Sequence, residues 1–216
     1  MAWMKGWRRG LVAAGCAIVA LGAGAQDIPG YPKDVYAADF REMARVPRYC
    51  QYTLVFRDAI PGNTDKAAMF NAWKAQVGES FVHMHHYCAG LIKMDRALFR
   101  ARDRQSRTFY LNDAIIEYDY VITRVPDEYV LLPEILTKKG EALMHLERDA
   151  IAVFTFERAI ELKRDYWPPY AHLSDHYLKV GDRKKARETL EAGLAADPDA
   201  TALRRRLAEL DGKKPQ

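Results

Sequence analysis

The stretch YAHLSDHYLKVGDRKKARETLEAGLAADP, from Tyr170 to Pro198, repeats at a distance of 34 positions the size pattern of Leu136 to Arg164. Leu136, Gly140, Leu143, Ala152, Phe156, Ala159 and Arg164 return as Tyr170, Ser174, Tyr177, Ala186, Leu190, Gly193 and Pro198. Apart from Arg164, large apolar residues return at large apolar positions and small ones at small positions. A fixed period of this length marks one supersecondary unit stacked on a copy of itself. Each copy reads as two helices. In the first, Ile135, Leu136, Ala142 and Leu143 keep a helical period, and Glu147-Arg148-Asp149 makes a polar turn. Ala152, Phe156, Ala159 and Ile160 then share one helical face. In the second, Gly181 in the turn Val180-Gly181-Asp182 suits a helix C-terminus because it tolerates positive φ. Pro198 closes the second helix, and Trp167-Pro168-Pro169 separates the copies.

Large, Leu-small, aromatic, then Ala, large, small and Pro is the order of residues in the second copy, and it resembles the tetratricopeptide repeat. The first copy departs from that pattern at Lys139 and Arg164. The resemblance implies an all-α, helical-hairpin solenoid in which the first helix of each hairpin lines a concave groove for a peptide or partner segment. Carried over by position, the groove-facing residues of the first copy are Glu134, Thr137, Lys138, Glu141, Met144 and His145. Those of the second copy are Ala171, His172, Asp175, Leu178 and Lys179. This mixture of charge signs fits hydrogen-bonded recognition of an extended chain. It lacks the Lys and Asn pattern with which some members grip a terminal carboxylate. The resemblance implies a binding protein without a cofactor rather than an enzyme.

The repeats divide the chain into units at 133–166 and 167–200, with a cap helix at 201–211 and a tail at 212–216. Leu203, Leu207 and Leu210 would face inward from the cap, with Arg204, Arg205 and Arg206 largely outside. A degenerate third unit at 79–132 is expected, because about three units are needed to bury a continuous core. Gly90 and Leu91 sit in its first helix, and Ala114, Tyr118, Val121 and Pro126 repeat the second-helix spacing. About twelve extra residues intervene by comparison with the repeat length. Arg100 to Arg107 supply them, as a longer helix or a solvated turn.

Residues 1–25 read as a secretory leader. Lys5, Arg8 and Arg9 precede the apolar run Leu11 to Gly22, and Ala23-Gly24-Ala25 supplies small residues at the cleavage positions. The run is too short to span a bilayer comfortably, so cleavage after Ala25 would leave no membrane span. A retained anchor, a lipoprotein site at Cys16 and a twin-arginine route at Arg8-Arg9 are the alternatives. The leader carries three of the 33 Lys plus Arg and none of the 29 Asp plus Glu, so its removal lowers the formal charge from +4 to +1. Net charge therefore gives no support to nucleic-acid binding. The expected location is the bacterial periplasm or outside the cell, and the expected partner a protein or peptide of the envelope. Cys50 and Cys88 then remain as an even pair, which in an oxidising compartment predicts a disulfide. The bridge would contribute about 3 to 4 kcal/mol in the chain-entropy view.

Residues 26–33 read as an extended tail. Within 34–78, three short helices are expected at Asp34 to Arg45, Pro47 to Ala59 and Asp65 to Gln76, broken at Pro61-Gly62-Asn63 with Thr64 as a cap. They lack the repeat spacing and would cap the solenoid or form a docking surface. Next comes the densest chemical cluster, His83-Met84-His85-His86-Tyr87-Cys88. His83, His86 and Met84 are soft ligands that copper or haem iron would take, which makes a metal or haem carrier the alternative function. Packed histidines hydrogen-bonded to backbone or carboxylates are the plainer reading. His172 and His176, one turn apart beside Asp175, pose the same choice. Gly78-Glu79-Ser80 resembles the Glu-Ser pair of lytic transglycosylases, with Glu79 as the acid of a peptidoglycan-cleaving enzyme. That family's downstream Gly-Leu-Met-Gln is replaced by Gly90-Leu91-Ile92-Lys93 at the wrong separation.

Overall fold

The computed structural model describes residues 40–59 and 65–212. The leader at 1–25, the tail at 26–33, the start of the first expected helix, and the break and cap at 61–64 lie outside the described residues. Among the described residues the chain is all-α and contains no strand. Three N-terminal helices, α1 (Phe40–Met43), α2 (Leu54–Ala59) and α3 (Lys66–Val77), precede the seven that build the array. These are α4 (Met84–Phe99), α5 (Arg104–Ile122), α6 (Leu132–His145), α7 (Asp149–Leu162), α8 (Pro168–Lys179), α9 (Arg183–Ala196) and α10 (Thr201–Leu210). None is long and apolar enough to cross a membrane.

The longer helices pack as hairpins α4–α5, α6–α7 and α8–α9, each against the next. Helices α4, α6, α8 and α10 also touch in succession, so they form one inner row. What lets two helices of a hairpin approach is a small residue facing a large ring. A Cβ on Gly140 would lie 2.4 Å from the Phe156 ring, and one on Gly90 would lie 2.3 Å from the Tyr118 ring. These two contacts are the same joint in two units, although 28 positions separate the Gly90 pair and 16 the Gly140 pair. The extra length goes into the last turn of α4 and the first turns of α5, with one residue in the turn at 100–103. Asp103 starts that helix by accepting the Ser106 N–H at 2.7 Å, and the Ser106 hydroxyl accepts in return from the Asp103 N–H.

Gly140→Ala is therefore expected to destabilise the chain by about 1 to 3 kcal/mol, although alanine is the better helix former. Urea unfolding at matched slope measures it. A neutral or stabilising result would mean that the ring moves aside without cost.

Both ends of the array are covered. At the C-terminal end Leu203 and Leu210 of α10 join Tyr170, Ala171, Leu190 and Ala200 in one cluster, with Leu207 packed against it. At the N-terminal end Cys50, Phe56, Cys88, Ala89 and Ile92 form another, with Met43, Val46, Tyr49 and Leu91 around it. Buried Arg96 donates two hydrogen bonds to Glu42, at 2.8 and 2.9 Å. The Cys50 and Cys88 sulfurs lie 2.07 Å apart. The expected helix from Pro47 to Ala59 is divided: residues 48–52 form a 3-10 turn, Thr53 is extended, and α2 follows. The Thr53 hydroxyl and backbone N–H both donate to the Cys50 carbonyl, at 2.8 and 3.1 Å, an acceptor that a continuous α-helix would give to the N–H of Leu54.

Candidate functional site

The inner row has a recess between α4 and α6. A cleft of about 260 Å³ is lined there by Leu91, Met94, Leu98 and Phe99 on α4, and by Glu134, Lys138 and Glu141 on α6. Arg45, Val46 and Pro47 of the N-terminal segment form its outer wall. Arg45 holds that wall in place by pairing with Asp95 at 2.8 Å, and its guanidinium lies 5.5 Å from the centre of the Phe99 ring. Leu98 is 38% exposed and Phe99 72%. Adjacent exposed apolar side chains at a cleft mark a candidate contact surface, although Ile116 and Phe154 elsewhere are exposed to a similar degree.

A polar rail runs from this cleft along α6 to α8. The Tyr87 phenol donates to Glu134 at 2.5 Å. Burial, and then the nearby Glu134 charge, push that phenol well above its ordinary range, so it remains a donor. Lys138 Nζ donates to Glu141 at 2.7 Å, and His172 Nε2 lies 3.1 Å from the same carboxylate. Burial of Glu141 favours its neutral form, but the hydrogen bonds from His172 and Lys138 outweigh it and hold the carboxyl below its usual value. The His172 ring stacks on Phe156 at 5.2 Å. Further along, Asp175 accepts twice from Arg206 of α10, at 3.2 and 3.1 Å.

The groove residues named from the sequence divide accordingly. Glu134, Lys138, Glu141 and His172 converge on the rail. Met144, His145, Asp175, Leu178 and Lys179 reach the surface farther along α6 and α8. Thr137 and Ala171 are closed over at 1% exposure each, and the Thr137 hydroxyl donates to the Pro133 carbonyl at 2.7 Å. Residues at their offset face the neighbouring inner helix before they face the groove. The apolar half of the cleft was not named in advance, although a signal existed. Leu91 and Met94 stand at the same offsets from Gly90 as Glu141 and Met144 do from Gly140. Nothing in the sequence marks Arg45 to Pro47 as a wall.

The histidine cluster is arranged otherwise. Met84 is fully buried. His86 Nδ1 lies 2.5 Å from Glu117, and its ring stacks on Tyr120 at 3.5 Å. The His83 ring meets the edge of the same tyrosine at 5.9 Å. Burial, followed by the His86 charge, lowers the His85 imidazole to about 4. Among the described residues no three His, Cys, Asp or Glu side chains converge as a metal site. Glu79 has an 88% exposed side chain and pairs with Lys74 at 2.6 Å. The apolar cleft that would prepare a carboxyl for acid catalysis is not built around it.

A helical-hairpin array repeating at 34 residues is the form of a tetratricopeptide repeat, and the comparisons match that repeat in two of the units. Residues 133–166 and 167–210 each match the sequence profile of the tetratricopeptide repeat. Over these two units the chain carries tetratricopeptide repeats. It is also similar to the Hsp70-Hsp90 organizing protein of Triticum aestivum, at 31% identity over 102 residues. That alignment takes in 47% of this chain and 16% of the wheat protein.

Proposed function

We propose that the inner row of α4, α6 and α8 is a docking groove for an extended segment of a partner protein, and that the chain acts as a scaffold or assembly factor of the cell envelope. The observation that carries this reading is the pairing of exposed Leu98 and Phe99 with the rail of Glu134, Lys138, Glu141 and His172. One half would bury an apolar anchor, and the other would order the partner's backbone and polar side chains. The wheat relative's name describes an organiser of two other proteins, which agrees with a bridging role. The envelope assignment draws on the leader-like residues 1–25 and on the bonded position of Cys50 and Cys88, since disulfides persist in oxidising compartments.

The test compares two preparations of the full chain. Leu98→Asp combined with Phe99→Asp alters side chains that line the cleft at 38% and 72% exposure, and urea unfolding of the variant checks that the fold persists. Partners recovered by crosslinking from envelope extracts with the unaltered chain should fall about tenfold or more with the variant, as truncating an interface anchor does. The same set of partners recovered at equal yield from both would place the contact elsewhere and sink the groove assignment.

A further inference from the structure

Away from the groove, the turn edge of the array holds a second and larger cleft. It has a volume of about 650 Å³ and lies between the α4–α5 turn, the first turns of α5 and the α6–α7 turn. Four arginines line it: Arg102, Arg104 and Arg107 from one unit and Arg148 from the next. We propose that this cleft binds the phosphate dianion of a phosphomonoester.

The argument begins with what these guanidiniums do not touch. Several arginines elsewhere are taken up by carboxylates, Arg96 by Glu42, Arg158 by Asp127 and Arg206 by Asp175, while Arg124 and Arg183 donate to backbone carbonyls. In the cleft, Arg107 instead donates to His145 Nδ1 at 3.3 Å, and Arg148 donates to the side-chain oxygen of Asn112 at 2.9 Å. Both acceptors are neutral, since an arginine can only donate and the imidazole nitrogen facing it must therefore be unprotonated. Burial of His145, and then the Arg107 charge, lower its pKa and hold it in that form. Arg102 and Arg104 have no side-chain hydrogen bond or ion pair among the described residues.

Two acidic residues line the same cleft, Asp103 and Glu147. The Asp103 carboxylate is spent on the Ser106 N–H that starts α5. Four positive charges against these two leave the cleft at +2. Like charges gathered around one cavity repel, and a ligand of charge −2 cancels the excess. A phosphomonoester carries close to that charge at neutral pH and offers three oxygens to planar guanidinium forks. A single carboxylate offers half the charge. The volume leaves room for the organic part of the ester, with Leu111 as an apolar contact for it.

The phosphate could belong to a dissolved metabolite or to a lipid headgroup, and one experiment separates them. The full chain is titrated calorimetrically with glycerol 3-phosphate at low salt. It is also sedimented with phosphatidylcholine vesicles, with and without phosphatidic acid. Saturable binding is expected in at least one arm. Binding of the soluble ester assigns the site to a free ligand, and binding to the phosphatidic acid vesicles alone assigns it to a lipid. Arg102→Gln, which breaks no internal contact, and the pair Arg104→Gln with Arg148→Gln should each weaken binding by about tenfold or more. Arg205→Gln on α10, outside the cleft, should leave it unchanged. The dipeptide of two aspartates should bind about tenfold more weakly than the ester at similar charge. No binding in either arm, indifference to the cleft substitutions, or equal affinity for the dipeptide each overturns the proposal.

Discussion

Lys93→Met is expected to cost about 3 to 5 kcal/mol, because it strands a buried carboxylate. The Lys93 side chain is 1% exposed, and its ammonium donates to Glu117 at 2.5 Å and pairs with Asp113 at 2.8 Å. Glu117 is itself only 8% exposed, with His86 on its other oxygen. Burial pushes the Glu117 carboxyl up, but the hydrogen bonds from His86 and Lys93 overcome this and hold it below its ordinary value. A carboxyl held low in the folded state contributes stability at neutral pH and loses it as pH falls through the acid range. In Lys93→Met that contribution should shrink, so the variant should lose less stability on acidification than the unaltered chain. Adding Glu117→Gln to Lys93→Met should recover part of the loss, since no full charge is then stranded. Urea unfolding of the two single variants and the double gives the coupling directly. A single-variant cost under about 1 kcal/mol would show that the ammonium only balances its own burial.

Removing the link between Cys50 and Cys88 should cost about 4 kcal/mol, from the loop entropy of a 38-residue separation. For a chain of this size that corresponds to a fall of roughly 10 °C in Tm. Reductant on the unaltered chain, and Cys50→Ala with Cys88→Ala, should give the same fall. The loss should also be local. The bond ties α4 to the segment before α2, and repeat arrays share stability mainly between neighbours. Amide exchange should therefore quicken in α2 and α3 while α8 to α10 keep their protection. A Tm indifferent to reductant, or two thiols titrated in the unfolded but unreduced chain, would show that the bond is absent.

How much of this was legible in the sequence depends on what each residue has to satisfy. The period of 34 is set by helix-to-helix fit, so residues such as Gly140 and Phe156 announce themselves by size alone. The third unit is harder to read for an instructive reason. Where the two copies place Leu143 and Tyr177, it places Lys93, whose burial is acceptable only beside Glu117 and Asp113, which come from the next helix. No local pattern contains that pairing. The turn of the first copy behaves similarly. Glu147 takes positive φ where the second copy has Gly181, so the backbone demand is the same and only one residue betrays it. Helical offsets name a set of candidate groove residues but carry nothing about depth, and Thr137 and Ala171 of that set are enclosed. Arg45 to Pro47 reach the cleft through tertiary folding of a segment with no repeat register at all.

The covering of both ends has one more consequence. A stacked array with a bare leading face and a bare trailing face is self-complementary, and a head-to-tail contact of that kind propagates into a fibre instead of closing. Here the leading face of α4 is sheathed by the segment around Cys50 and Phe56, and the trailing face of α9 by α10. The described residues therefore leave neither end helix of the array bare for such stacking, and the proposed groove would be a ruler of fixed length.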